Sequence, residues 1–259
     1  MPIHPSAIVS KTAKLGENIT IGPFAIIADD VVVGDGCRVD AAAQLMNGSR
    51  VGNNCRIGSG SLISADPHYI GFDESITSGV VIGDNNIIRE YVTLHRSVEP
   101  GGTTVIGNDN FLMNGAHVGH DCILGNGNTL ANNALLGGHV SVGDFCFLGG
   151  GSAFHQFVRI GSYVMAQGLA GASLDVPPYL IIAGINNVFG INTVGLKRAG
   201  LDQAARKGIK EAYQRIYRGS KTLAEVLEAS ESEVFIPEVE AFYDFFRNKS
   251  TRGVLIRSK

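Results

Sequence analysis

Residues 3–62 divide without remainder into ten hexads: IHPSAI, VSKTAK, LGENIT, IGPFAI, IADDVV, VGDGCR, VDAAAQ, LMNGSR, VGNNCR and IGSGSL. Each opens on an aliphatic residue, from Ile3, Val9, Leu15 and Ile21 through Ile27, Val33, Val39, Leu45, Val51 and Ile57, with Ile63 next. A period of six is neither the 3.6 of a helix nor the alternation of a strand. It fits short strands joined by tight turns, each strand sending one large side chain inward. Four positions after the anchor the residue is usually small, as at Ala7, Ala25, Cys37, Ala43, Ser49 and Cys55, and glycine often follows the anchor directly, as at Gly16, Gly22 and Gly34. Three hexads close a triangular coil of about 18 residues, and coils stack as parallel strands roughly 4.8 Å apart. The expected fold class is a β-solenoid.

The register breaks across Ser64–Val81, resumes at Ile82, Ile88 and Leu94, skips Glu99–Gly102, and continues from Ile106 to Ile160, with Ala166 as a fading last member. A solenoid core accepts an insertion only as an outward loop. Loops are therefore expected near 64–81 and 99–104, where loops on a rigid scaffold often carry sites. The β-helix is expected over 1–196 and a C-terminal helical domain over 197–259. In that tail, Leu201–Tyr217 has helical spacing through Ile209, Ala212, Tyr213 and Ile216. Thr222 and Glu225 stand at capping-box spacing before a second short helix. Pro237 introduces a third helix, Glu238–Asn248, with Val239, Phe242, Phe245 and Phe246 on one face.

Composition narrows the function classes. Charged residues are only 17% of 259, glycines number 34, and the net charge is −3, which does not suggest nucleic acid. No apolar run reaches the ~18–20 residues that span a bilayer. Cys37, Cys55, Cys122 and Cys146 form no CxxC pair and read as buried small hydrophobes. With no signal peptide visible, a reducing cytoplasm is the expected compartment. From Lys197 onward there are 13 Lys/Arg against 9 Asp/Glu, and before it 8 against 15. Arg206, Lys207, Lys210, Arg215 and Arg218 are either solvated helix faces or a docking patch for an acidic partner.

Three of the seven histidines lie between Ala116 and His139, and a fourth is His155. At one coil per 18 residues, His120 stacks on Gly138, Asp121 on His139 and Gly137 on His155. Acyl transfer to a hydroxyl needs a base for the alcohol proton and a donor for the developing oxyanion. Histidine suits the first role near neutral pH, a carboxylate would fix its tautomer, and a bare glycine leaves its N–H approachable. His120, Asp121 and Gly138 meet these needs together. A zinc site would draw on His117, His120, His139 and Cys122, at three or four ligands. His117 and His120 fall at different repeat phases, so their rings should diverge, and no metal is expected.

The ordered set IHPSAIV, GDNNIIREYVTLHR, HVGHDCILGN, LANNALLGGHVSVGDF, AFHQFVRIG, DVPPYL, GLKRAG and STRG covers the chain from end to end. In it the sequence resembles the hexapeptide-repeat acyltransferases, and within them the UDP-N-acetylglucosamine 3-O-acyltransferases that begin lipid A synthesis. That resemblance implies a left-handed parallel β-helix, a homotrimer with sites between subunits, acyl carrier protein as donor, a UDP-sugar as acceptor and no cofactor. It implies His120 as general base, Asp121 as its orienter and Gly138 as oxyanion donor. It assigns His117 and His139 to sugar or acyl contacts, and His155, Gln156, Asn192 and Arg198 to the nucleotide and its phosphates. Asp66 would hold the glucosamine ring, and Gly168 would leave the acyl groove open. Three positions depart from the pattern. His68, in DPHY, replaces a lysine common in that loop, Val194 a glutamate and Ala199 an arginine, and Gly71–Val81 is longer than usual. A 3-amino sugar as acceptor therefore stays open. So do another hexapeptide enzyme and a non-catalytic scaffold. The pathway's N-acyltransferase would place a uridine-binding domain ahead of the helix, whereas here the repeat starts at Ile3.

Overall fold

A computed structural model of the chain describes residues 3–256. The hexads become strands of two to four residues that pair in parallel into three sheets. The first sheet begins at Ile8–Val9 and ends at Gly171–Ala172, and the second runs from Lys14–Leu15 to Arg159–Ile160. The third runs from Thr20–Ile21 to Leu180–Ile182 and closes on one antiparallel strand, Val188–Ile191. The anchors from Ile21 to Ile160 point into a single core that is almost wholly dry. A strand of two residues gains little alone; its stability comes from the coil above, the coil below and the aliphatic file it joins.

Every coil turns three corners, and many corners hold a non-glycine residue in the left-handed region, among them Asp121 at φ +60° and His139 at φ +60°. Both insertions leave from the corner between the first and second sheets. Leu62 pairs with Thr93, so that coil takes 31 residues; Thr93 pairs with His117, 24 residues; His117 pairs with Leu135 after the regular 18. The inserted segments are bounded differently from the sequence reading. Residues 62–65, 79–82 and 103–106 are four-residue strands, which leaves 66–78 and 96–102 as loops and places Thr103 and Thr104 inside a strand. The repeat also outlasts Ala166: Ala172 pairs with Phe154, Val176 bridges Ile160, and Ile182 pairs with Ala166. The segment between Ala172 and Leu180 is out of phase, which hid this last coil from a fixed period.

Four helices follow: α1 Thr193–Arg198, α2 Gln203–Tyr217, α3 Leu223–Ser230 and α4 Pro237–Arg247. The short α1 spans the expected 196/197 boundary and shows no periodicity long enough to read. Asp202 caps α2, and Thr222 with Glu225 forms the capping box of α3. Tyr243, not Phe245, completes the buried face of α4 with Val239, Phe242 and Phe246. Phe245 instead packs under the Arg159 guanidinium, 4.7 Å from its carbon. Arg159 also pairs with the buried Asp175 at 2.7 Å, fastening the helices to the last coils. Arg215 bonds Glu233 at 2.7 Å and Lys207 lies 3.8 Å from Glu211, so part of the basic surface is neutralised within the tail. No described helix is long and apolar enough to cross a membrane.

Candidate active site

The corner joining the first and second sheets gathers the chemistry. Both loops leave from it. His120 and Asp121 follow the strand His117–Val118, Gly138 and His139 follow Leu135–Leu136, and His155 and Gln156 follow Ala153–Phe154. Successive turns are tied through their backbones: the His139 N–H donates to the His120 carbonyl at 2.9 Å, and the Phe157 N–H to the Gly138 carbonyl at 3.0 Å.

His120 and Asp121 face each other, with Nδ1 2.8 Å from Oδ2. If Nδ1 carries the proton, Nε2 is left as the free basic atom. That atom faces Gly138: a Cβ built on Gly138 would collide with Nε2 and Cε1. Gly119 is glycine for a related reason, since a Cβ there would meet the Gly138 nitrogen at 2.8 Å. The Gly138 N–H donates to no group among the described residues. An imidazole nitrogen and a bare amide thus face each other across one gap.

Asp121 is firmly held. Its Oδ1 accepts a hydrogen bond from the Ser97 hydroxyl, its Oδ2 accepts from the Val98 N–H at 3.2 Å, and its own N–H donates to Thr104 Oγ1 at 2.8 Å. Burial pushes the carboxyl up, but the bonds from Ser97, His120 and Val98 outweigh it, and the group stays below the ordinary carboxylate range. His139 stands edge-on to His120 with centroids 5.0 Å apart and stacks on Phe157 at 4.5 Å.

His117 turns away from His120, as the phase difference requires. Its Nδ1 lies 2.7 Å from Thr93 Oγ1 on the coil below. It joins His95, at 4.8 Å between centroids, and His68, at 5.9 Å and nearly parallel. Burial lowers His95 to about 3, helped by repulsion from His117, His68 and His120 and opposed by Asp66; burial also lowers His117. These two rings are neutral at working pH. His68 therefore brings the loop 66–78 down onto two uncharged imidazoles.

Asp66 binds Arg96 Nε at 2.7 Å, and the rest of that guanidinium organises the loop. Nη1 donates to the Ile76 carbonyl at 2.6 Å, Nη2 to the Glu74 carbonyl at 3.0 Å, and the Phe72 ring lies 4.7 Å away. A cavity of about 400 Å³ opens beside the loop, lined in part by Asp30, Asn47, Asp66, Glu74, Ser78 and Arg96.

Sequence reasoning missed Thr93, His95, Arg96, Ser97 and Thr104. Arg96 and His95 lie in the stretch YVTLHR, but nothing in the hexad marks what they touch. The other expected residues lie elsewhere or apart. His155 and Gln156 are exposed on the same corner, with His155 Nδ1 3.2 Å from the Gln156 carbonyl oxygen. Gly168 is exposed between the third and first sheets, where a Cβ would meet only the Gly150 oxygen at 3.5 Å. Asn192 caps α1: its Oδ1 accepts from the Gly195 N–H at 3.0 Å and its Nδ2 donates to the Tyr163 carbonyl at 2.9 Å. Arg198 is exposed at the end of α1, Val194 and Ala199 are exposed beside it, and Arg198 makes no ion pair among the described residues.

His120, Asp121 and His139 bring ligand-type atoms within 4.8 Å of one another. As a metal set they are poor. Both carboxylate oxygens of Asp121 already accept hydrogen bonds, and Cys122 points inward, its thiol donating to the Gly137 carbonyl at 3.1 Å. Burial pushes the Cys122 thiol up to about 12, so it is no thiolate ligand.

Two family profiles match this chain. One, described as UDP N-acetylglucosamine O-acyltransferase, domain 2, covers residues 175–255; the other, the bacterial transferase hexapeptide repeat, covers 30–65 and 103–138. Among solved structures, the LpxA UDP-N-acetylglucosamine acyltransferase of Bacteroides fragilis is 39% identical, with a TM-score of 0.91 over 97% of this chain and 98% of that one. The Francisella novicida UDP-N-acetylglucosamine acyltransferase is 34% identical, with a TM-score of 0.90 over 99% and 94%. The Moraxella catarrhalis UDP-N-acetylglucosamine O-acyltransferase is 31% identical, with a TM-score of 0.89 over 98% and 100%.

Proposed function

The chain belongs to the UDP-N-acetylglucosamine acyltransferase family, and from that premise we propose that His120 is the base of its acyl transfer. The enzyme carries out the first step of lipid A biosynthesis. Its donor is an acyl chain, 3-hydroxylated in our reading, on acyl carrier protein; its acceptor is the 3-hydroxyl of UDP-N-acetylglucosamine. His120 Nε2 takes the hydroxyl proton as the oxygen attacks the thioester carbonyl. The Gly138 N–H donates to the oxyanion that forms, where a preorganised donor is worth most. Collapse breaks the carbon–sulfur bond, and the imidazolium returns the proton to the departing thiolate. Asp121 holds the tautomer that leaves Nε2 free.

One observation carries this reading: His120 Nε2 faces the bare Gly138 backbone while Nδ1 is engaged by Asp121. In this reading His68, Asp66 and His117 receive the sugar at the same corner. Gly168 stands at another corner of the same chain, and Asn192 at the start of α1 beyond the last coil. A three-fold assembly would bring such corners together at subunit boundaries, and a cytoplasmic homotrimer is part of the proposal.

The test is mass spectrometry of products from a panel of acyl carrier protein thioesters, offered both the 3-hydroxyl and the 3-amino sugar. The parent should acylate the hydroxyl sugar. His120→Ala should bind the sugar nucleotide but turn over about 10²–10⁴-fold more slowly. Unchanged turnover would remove His120 from the chemistry.

A further inference from the structure

We propose that Ser97 is a positioning residue for the catalytic pair, its buried hydroxyl fixing the Asp121 carboxylate and tying it to the loop that carries Asp66 and His68. The inference rests on the role given above to His120 and Asp121.

Ser97 sits in the second insertion and is wholly buried. Its hydroxyl donates to Asp121 Oδ1 and accepts from the Glu99 N–H at 2.9 Å. The next residue contributes too, through the Val98 N–H to Oδ2. The insertion 96–102 therefore supplies donors to both carboxylate oxygens, and the orientation of Asp121 is set by a segment the hexad repeat does not include. On its other side, Ser97 is held by the first loop. The Ser78 hydroxyl donates to the Ser97 carbonyl at 2.7 Å and accepts from Arg96 Nη1 at 3.2 Å, and Arg96 closes on Asp66. All the groups between Asp66 and Asp121 are buried. Hydrogen bonds to the Ser97 carbonyl on one side and from its hydroxyl on the other thus connect the loop at Asp66 to the Asp121 carboxylate. Ser97 touches no substrate; it acts through Asp121.

The experiment is a double-mutant cycle on the full-length enzyme with its acyl carrier protein donor. Ser97→Ala should lower kcat about tenfold with the KM for the sugar nucleotide nearly unchanged. Ser97→Cys, which keeps the number of side-chain heavy atoms but donates weakly, should fall between and guards against misfolding. In an Asp121→Asn background, Ser97→Ala should cost almost nothing further, since the group it acts through is already disabled. The imidazole ¹⁵N shifts of His120 should report a mixed tautomer in Ser97→Ala and a single one in the parent. Equal losses from Ser97→Ala in both backgrounds, or an unmoved ¹⁵N signature, would overturn the proposal and leave Ser97 a packing residue. An Asp121→Asn enzyme as fast as the parent would instead sink the dyad reading itself, and Ser97 with it.

Discussion

At the corner between the second and third sheets, the turn amides are capped by a file of side chains. Asp35, Asn53, Asp84, Asn108, Asn126 and Asp144 each accept, through Oδ1, from the N–H one coil below, and Ser162 ends the file. At the corner between the first and second sheets the corresponding positions are His120, Gly138 and Gln156, and their amides donate to nothing among the described residues. The backbone geometry is shared, but one corner uses its donors for stability and the other leaves them uncapped; in the mechanism proposed above, the Gly138 amide is the one that meets the reacting molecule. The uncapped corner also forgoes the small gain, about 0.5–1.5 kcal/mol, that each capping bond would bring.

That contrast can be broken first at Gly138. Gly138→Ala keeps the amide but drives a methyl group into the His120 ring, and acyl transfer should drop about 10²-fold or more while the fold persists. Steady-state kinetics beside a circular dichroism melt would decide it; an active Gly138→Ala enzyme would mean the His120 ring does not need that gap.

The second test is acid. His95 is held neutral by burial, with His117, His68 and His120 repelling its charge and Asp66 favouring it, so it titrates near 3. The unfolded chain takes up that proton near pH 6.5, which the folded chain refuses. Stability is therefore full above about pH 6.5 and is lost as pH falls toward 3. Denaturant midpoints of the parent should decline through this window, and His95→Gln should flatten the decline. Parallel slopes would show that the histidine cluster does not carry the effect. The capped corner gives the smallest change: Asn126→Ala should cost about 0.5–1 kcal/mol of stability and leave kcat alone. A large loss of activity there would erase the distinction between the corners.

The hexad made the strands, the inward anchors and the stacking of 120 on 138 legible, because those depend on spacing along the chain alone. What escaped depends on coil length. Counting by 18 fails wherever an insertion intervenes, so no subtraction places Thr93 beneath His117 or Ser97 beside Asp121, each 24 residues away. The small-residue rule also missed an exception inside the core. Asn86, Asn110 and Asn128 occupy the position elsewhere held by cysteine, and they form a buried file in which Asn86 Oδ1 accepts from the Asn110 N–H and Asn110 Oδ1 from the Asn128 N–H. A polar residue at an inward turn reads as surface until its partner one coil away is known.

The two loops lengthen their coils without shifting what comes next: Val80 still pairs with Ser49, and Thr93 still lies between Leu62 and His117. Closing a longer loop grows costlier only with the logarithm of its length. Residues can thus be gained or lost at one edge, where the loop proposed to receive the sugar lies, while the hydrophobic interior keeps its register. For protein engineers, the segment 66–78, bounded by the strands 62–65 and 79–82, is the natural place to graft a loop as a unit. Any such graft must bring its own partner for Arg96.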